Sequence, residues 1–158
     1  MKIIVGDLFD APERFITHQC NCVTNRAAHL AASMFARFPY ANIYAPRLAP
    51  DIPGTIIIRG DGKDQRFVIA MLGQYYPGSP KFPNSTKDGA LVRRLYFQSC
   101  LDKILQLPDL DSIAFPFGIG CGAAGGDLES YQYMLGKFAE KTTARVVIYQ
   151  LPSISNHD

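Results

Sequence analysis

Short apolar runs bounded by turn residues alternate along this chain with segments whose apolar positions recur every three or four residues. That is the pattern of strands interleaved with amphipathic helices. Lys2-Ile3-Ile4-Val5 reads as a compact strand ending at Gly6-Asp7, and residues 14–20, from Arg14 to Cys20, read as a second. Over 28–38, Ala31, Met34, Phe35 and Phe38 fall on one helical stripe, which Pro39 stops. Two further strands, 55–58 and 66–72, flank Gly60-Asp61-Gly62-Lys63-Asp64, a loop rich enough in glycine and aspartate to turn an antiparallel hairpin. Residues 75–84 carry Pro77, Pro80 and Pro83, which can neither continue a strand nor start a helix, and predict an irregular surface loop. Ser85-Thr86-Lys87-Asp88 has capping-box spacing ahead of a helix with Phe97, Cys100, Leu101 and Ile104 on one stripe. A buried strand over 111–115, a glycine-rich loop, a helix marked by Leu128, Tyr131, Leu135 and Phe138, and a closing strand over 144–150 complete the series. The order predicts an α/β chain folded as a three-layer α/β/α sandwich with a mixed central sheet. One domain spans 1–151 and a polar tail spans 152–158.

Composition narrows the class without changing that picture. At 158 residues, with 47% apolar and 19% charged positions, the chain is long enough for one self-sufficient core. A net charge of +2, with Lys and Arg scattered among acids, argues against a polyanion or a membrane surface as partner. No apolar run approaches membrane-spanning length, and the opening segment is interrupted too early by Gly6-Asp7 for a signal peptide, so a cytosolic monomer, small enough to enter the nucleus by diffusion, is expected. Cys20, Cys22, Cys100 and Cys121 lack the C-x-x-C spacing of a zinc site, so reduced thiols and no metal or cofactor are expected.

The densest chemical signal lies between Phe115 and Asp127, where Gly118, Gly120, Gly122, Gly125 and Gly126 keep a loop bare. Such a loop lets backbone N–H groups approach a ligand, and with the N-terminus of the following helix it forms an anion site. The loop lacks the Gly-Lys-Ser/Thr ending of a P-loop and does not follow an N-terminal strand as the dinucleotide fingerprint does. In open α/β sheets, ligands sit at the carboxyl ends of strands, where three segments land here: 6–8, 18–24 and 117–127.

With those segments in view, the chain resembles the macrodomain family of ADP-ribose-binding α/β/α proteins. Its closest likeness there is to the ADP-ribose 1″-phosphate phosphatases and terminal ADP-ribose protein glycohydrolases. The resemblance rests on Gly6-Asp7-Leu8-Phe9, on His18-Gln19-Cys20-Asn21-Cys22, on Phe38-Pro39-Tyr40 and on Pro116 with the glycine loop, and covers nearly the whole chain. It implies that Asp7 accepts from the adenine amino group, with the Leu8 N–H reaching a ring nitrogen; a cap on the local turn is the alternative for Asp7. Asn21 would hold the distal ribose or a water, and Gly118, Ile119, Gly120, Cys121, Gly122 and Ala123 would wrap the diphosphate and distal ribose. Phe117 would wall the ribose or join the core.

Two departures bear on activity. Where many macrodomains carry glycines in the first phosphate-facing loop, this chain reads Asn25-Arg26-Ala27-Ala28-His29-Leu30, so that Arg26 either contacts a phosphate or is solvated. Where related glycohydrolases place a catalytic lysine and aspartate, it has Gly73 or Gln74, and Ala124, which disfavours a lysyl adduct. The candidates left for hydrolysis at the distal ribose are His18 as acid or base, Asn21, and Asp127 orienting a water. Each has a competing structural role: His18 as a satisfied strand histidine, Asp127 as the cap of the helix beginning at Leu128. Cys121 invites a nucleophile reading but has no base evident in sequence, and a small packed side chain suits it better. The 75–87 loop would close over the cleft with Tyr75 or Tyr76 near the nucleoside and Lys81 near phosphate. The expected function is ADP-ribose binding with hydrolysis of a group from its distal ribose, either ADP-ribose 1″-phosphate or an ADP-ribosyl adduct. The alternatives are a non-catalytic reader of ADP-ribosylated macromolecules and a binder of another nucleotide or phosphosugar.

Overall fold

The structure is a computed structural model that describes residues 1–152. Six strands form one sheet: β1 (Lys2–Val5), β2 (Phe15–Gln19), β3 (Ile56–Arg59), β4 (Phe67–Met71), β5 (Ser112–Pro116) and β6 (Arg145–Gln150). Their spatial order is β1-β6-β5-β2-β4-β3, all neighbours running parallel except the β3–β4 hairpin. The mixed sheet expected from the sequence is thus present, with its antiparallel strand at an edge. The hairpin turns through Gly60 and Gly62, both at positive φ, while Asp61 Oδ1 accepts from the N–H groups of Lys63 and Gln65.

Helix α1 (His29–Arg37) covers one face of the sheet, and α2 (Ala90–Ile104) and α3 (Leu128–Glu140) cover the other. Strand side chains alternate between the two cores, as period-two geometry requires. Ile16, Val68, Ala70 and Ala114 pack with Met34 and Phe35 of α1. Phe15, Ile69, Ile113, Phe115 and Ile148 pack with Phe97, Leu101 and Ile104 of α2 and with Leu135 and Phe138 of α3. The stripes Ala31-Met34-Phe35 and Phe97-Cys100-Leu101-Ile104, visible in sequence, are the buried faces of their helices. No helix among the described residues is long and apolar enough to cross a membrane.

One expected helix start is corrected. Residues 85–88 do not cap α2, which begins at Ala90 with Gly89 as its cap residue and without a side-chain cap. Ser85 Oγ accepts from the N–H of Lys87 inside the preceding turn, and Asp88 is turned inward to Arg93. A buried charge outcompetes the cap because Arg93, whose side chain is 3% exposed, requires a counterion. The expected polar tail lies, beyond Pro152, outside the described residues.

Candidate functional site

A cleft of about 320 Å³ opens at the carboxyl ends of β2 and β5, adjacent strands at the centre of the sheet. One wall is the loop after β5, from Pro116 to Ala124, and the opposite wall comes from the loop after β2 with the first turn of α1. Pro77 and Gly78 form a third side, and Gln19, Gln74 and Tyr44 line the cleft as well. Of the residues expected to wrap a ligand, Phe117, Gly118, Ile119, Gly120, Gly122, Ala123 and Asn21 line it; Cys121, Asp7 and Leu8 do not.

The glycine loop behaves as its composition suggests. Gly118 and Gly120 adopt φ of 74° and 79°, and the turn closes through Cys121 N–H to Gly118 O and Gly126 N–H to Gly120 O. Tyr131 of α3 packs so tightly under the loop that a Cβ on Gly120 would fall 2.5 Å from its ring. The N–H groups of Gly118, Gly120, Gly122, Ala123 and Ala124 find no acceptor among the described residues. A row of unpaired N–H groups beside a cleft is an anion cradle.

The helix that contributes to this cradle is α1 and not α3, which corrects the expectation. Asp127 caps α3: its carboxylate accepts from Ser130 Oγ at 2.6 Å and from Ser130 N–H at 3.0 Å, bonds that hold its pKa below the usual carboxylate range. It faces a separate hollow with Arg94 and Tyr133, so it orients no water in the cleft. In contrast, α1 starts at the cleft with no side-chain cap, and His29, Leu30 and Ala31 line the opening. Its first-turn N–H groups are among those a helix leaves unpaired.

The other two expected catalytic groups are also reassigned. His18 is fully buried beneath Phe35, with its ring 5.4 Å from the phenyl ring and Nε2 3.5 Å from Cys20 Sγ. Burial pushes its pKa down to about 4, so it stays neutral in the core and touches no ligand space. Asn21 lines the cleft with its amide already committed. Its Oδ1 accepts from the N–H groups of Val23 and Thr24, and Nδ2 donates to Thr24 Oγ1 and Tyr44 Oη. Arg47 secures the same loop by donating to the Asn21 and Thr24 carbonyls and to Asp51, its guanidinium 4.9 Å above the Tyr44 ring. Asn21 therefore shapes the loop after β2 instead of presenting an amide to ribose.

Asp7 is exposed and caps the short 3-10 turn Leu8–Asp10 through the Phe9 N–H, the alternative weighed for it, while Leu8 is buried. It follows β1, two strand spacings or about 10 Å from β5, and so lies beyond the enclosed part of the cleft. Cys121 turns toward the α3 side, where burial raises its thiol to about 11, and it is no nucleophile. Lys81 sits with Tyr76 and Phe82 in a neighbouring hollow and does not line the cleft beside the glycine loop.

Gln74 and Ala124 both line the cleft, to which they contribute an amide and a methyl group. Gln74 is fixed between walls: Gln19 Nε2 donates to its Oε1 at 2.7 Å, and its own Nε2 donates to the carbonyl of Tyr76. Among the described residues that line the cleft, Arg26, His29 and the phenol of Tyr44 are the ionisable side chains, and none is a carboxylate. His29 is further distinguished as the one non-glycine residue at positive φ among the described residues, at 54°. Sequence reading marked the 25–30 segment as unusual only because glycine was expected there. Nothing in the residue pattern marked Tyr44, which reaches the cleft from a distant loop.

Comparison with known proteins gives no match to a family model and none among curated proteins. Solved structures do match along nearly the whole chain. The macrodomain of Mycobacterium tuberculosis DarG superposes with a TM-score of 0.75 at 20% identity, covering 96% of this chain and 97% of that one. A protein of unknown function from Bacteroides thetaiotaomicron gives 0.72 at 20% identity, with 95% and 97% covered. Thermosipho africanus DarTG in complex with ADP-ribose gives 0.70 at 17% identity, covering 98% of this chain and 43% of that one. At these identities the likeness is one of fold, and the fold of this chain is that of the macrodomains.

Proposed function

We propose that the cleft binds ADP-ribose and serves the hydrolysis of a group from its distal ribose, a phosphomonoester before an ADP-ribosyl adduct, in the cytosol. One observation carries the reading: a cradle of unpaired N–H groups and Arg26 line a cleft to which no carboxylate among the described residues contributes. Unpaired donors and a cation with no counterion among the described residues favour an anion, and a diphosphate with a terminal phosphate offers several. The exposed Asp7 carboxylate beyond the cleft is the acceptor available to an adenine amino group. The ADP-ribose in the complex of Thermosipho africanus DarTG supports the choice of nucleotide.

A non-catalytic reader of ADP-ribosylated macromolecules is the second reading, favoured by Gln74 and Ala124 in place of an amine and a carboxylate. Titration calorimetry with ADP-ribose tests the binding that both readings share; folded protein giving no heat at millimolar ligand overturns both. Phosphate release from ADP-ribose 1″-phosphate then separates them. Release above the blank excludes the pure reader, and binding without release excludes the phosphatase.

A further inference from the structure

With His18 sealed in the core, Asn21 internally bonded and Asp127 capping α3, none of the groups expected to move a proton can do so in the cleft. His29 can. It lines the cleft, is exposed, and is the one imidazole among the described residues there, with two ring nitrogens that can donate or accept a hydrogen bond. Its backbone adds a second, independent observation. At φ 54° it occupies the left-handed region, where glycine costs nothing and a side chain with Cβ is strained. Left-handed non-glycine residues held by their surroundings concentrate at functional sites. Here the strained residue opens α1 at the edge of the anion cradle, with Arg26 three positions before it and also lining the cleft.

We propose that His29 is the general acid of the hydrolysis, with Arg26 holding the phosphoryl group that departs. The role rests on the phosphatase reading of the preceding section. The bond between phosphorus and the ribose 1″ oxygen breaks, its electron pair stays on that oxygen, and the His29 imidazolium supplies the proton that makes it a hydroxyl. Water adds its oxygen to phosphorus, giving dihydrogen phosphate, which returns a proton to the imidazole through solvent. A loose phosphoryl-transfer transition state develops charge on the leaving oxygen and places little demand on a base, so a site with no carboxylate among its described lining residues suffices. The unpaired loop N–H groups and Arg26 would stabilise the equatorial oxygens.

The test uses His29→Gly, because glycine accepts φ 54° and the variant keeps its fold. With ADP-ribose 1″-phosphate as substrate, the expected result is a kcat about 10²- to 10⁴-fold lower, the range for losing one positioned acid. ADP-ribose affinity should stay within about threefold, since the acid acts on the leaving oxygen. Added imidazole should restore much of the lost turnover, which a merely structural role would not allow. Unchanged kcat in the variant overturns the proposal, as does loss of turnover that imidazole fails to restore. Wild-type protein that binds ADP-ribose but releases no phosphate overturns the role of His29 and leaves the binding reading standing. Wild-type protein that fails to bind ADP-ribose overturns that reading and this role together.

Discussion

Arg93 and Asp88 form a two-pronged ion pair inside the protein, Nε to Oδ1 at 3.0 Å and Nη2 to Oδ2 at 2.6 Å, and through it two walls of the cleft are tied together. The same carboxylate accepts from the N–H groups of Tyr75 and Tyr76. The same guanidinium donates to the carbonyls of Tyr76 and Gly78 in the proline-rich loop and of Ala124 in the glycine loop. A buried pair is not in itself a large source of stability, but removing one partner strands the other in a low dielectric. Asp88→Ala is therefore expected to lower unfolding stability by about 3–5 kcal/mol in urea titrations and to weaken the proposed ADP-ribose binding as Pro77 and Gly78 lose their anchor. A loss under about 1 kcal/mol would mean that the loop is held by other contacts.

Gly120 and Gly122 separate two uses of glycine in one loop. At Gly120, φ is 79° and an added Cβ would meet the buried Tyr131 ring at 2.5 Å. Gly120→Ala should cost about 1–2 kcal/mol from the backbone alone, with the clash added to it. At Gly122 a Cβ meets nothing within 4 Å, so Gly122→Ala should leave the thermal midpoint nearly unchanged and reduce ligand affinity by crowding the cleft. Equal midpoint losses in the two variants would contradict this division.

His18 gives the fold a pH dependence of known sign. Its pKa is about 4 in the folded chain against 6.5 for an unburied histidine, so the unfolded chain binds the extra proton. Its contribution is fully present above pH 6.5 and is lost as pH falls toward 4, on the order of 3 kcal/mol in all. His18→Leu keeps an apolar volume against Phe35 and should flatten that part of the stability profile, measured by denaturant unfolding at pH 7 and pH 5. An unaltered slope in the variant would assign the pH dependence to other groups.

Arg47 should prove intolerant of lysine. Its planar fork serves the Asn21 and Thr24 carbonyls and the Asp51 carboxylate at once while lying over Tyr44, a geometry an ammonium cannot reproduce. Arg47→Lys is expected to cost about 2–3 kcal/mol through unpaired buried carbonyls, and to loosen the wall that carries Arg26 and His29. Backbone amide exchange over 21–31 would report that loosening, and unchanged protection there would refute it.

The amino-acid sequence by itself determined the layers. Strand runs such as Lys2-Ile3-Ile4-Val5 and stripes such as Phe97-Cys100-Leu101-Ile104 depend on local periodicity, which is written in neighbouring residues, and the sandwich follows once each apolar face must be covered. The bare loop after β5 was legible for the same reason, since the absence of side chains is a local property. Which polar groups remain available was not. His18 and Asn21 stand within four positions of each other next to the cleft, yet one is sealed beneath Phe35 and the other is saturated by Thr24, Tyr44 and its own loop. Phe35 and Tyr44 come from elsewhere in the chain, and their contacts become known only when it is folded. Tertiary structure alone decided that the uncapped helix end at the cleft belongs to α1, and that His29, strained where glycine was expected, is the histidine that lines it. Desolvation and hydrogen-bond saturation are properties of packing, and packing selects among the candidates that local chemistry supplies.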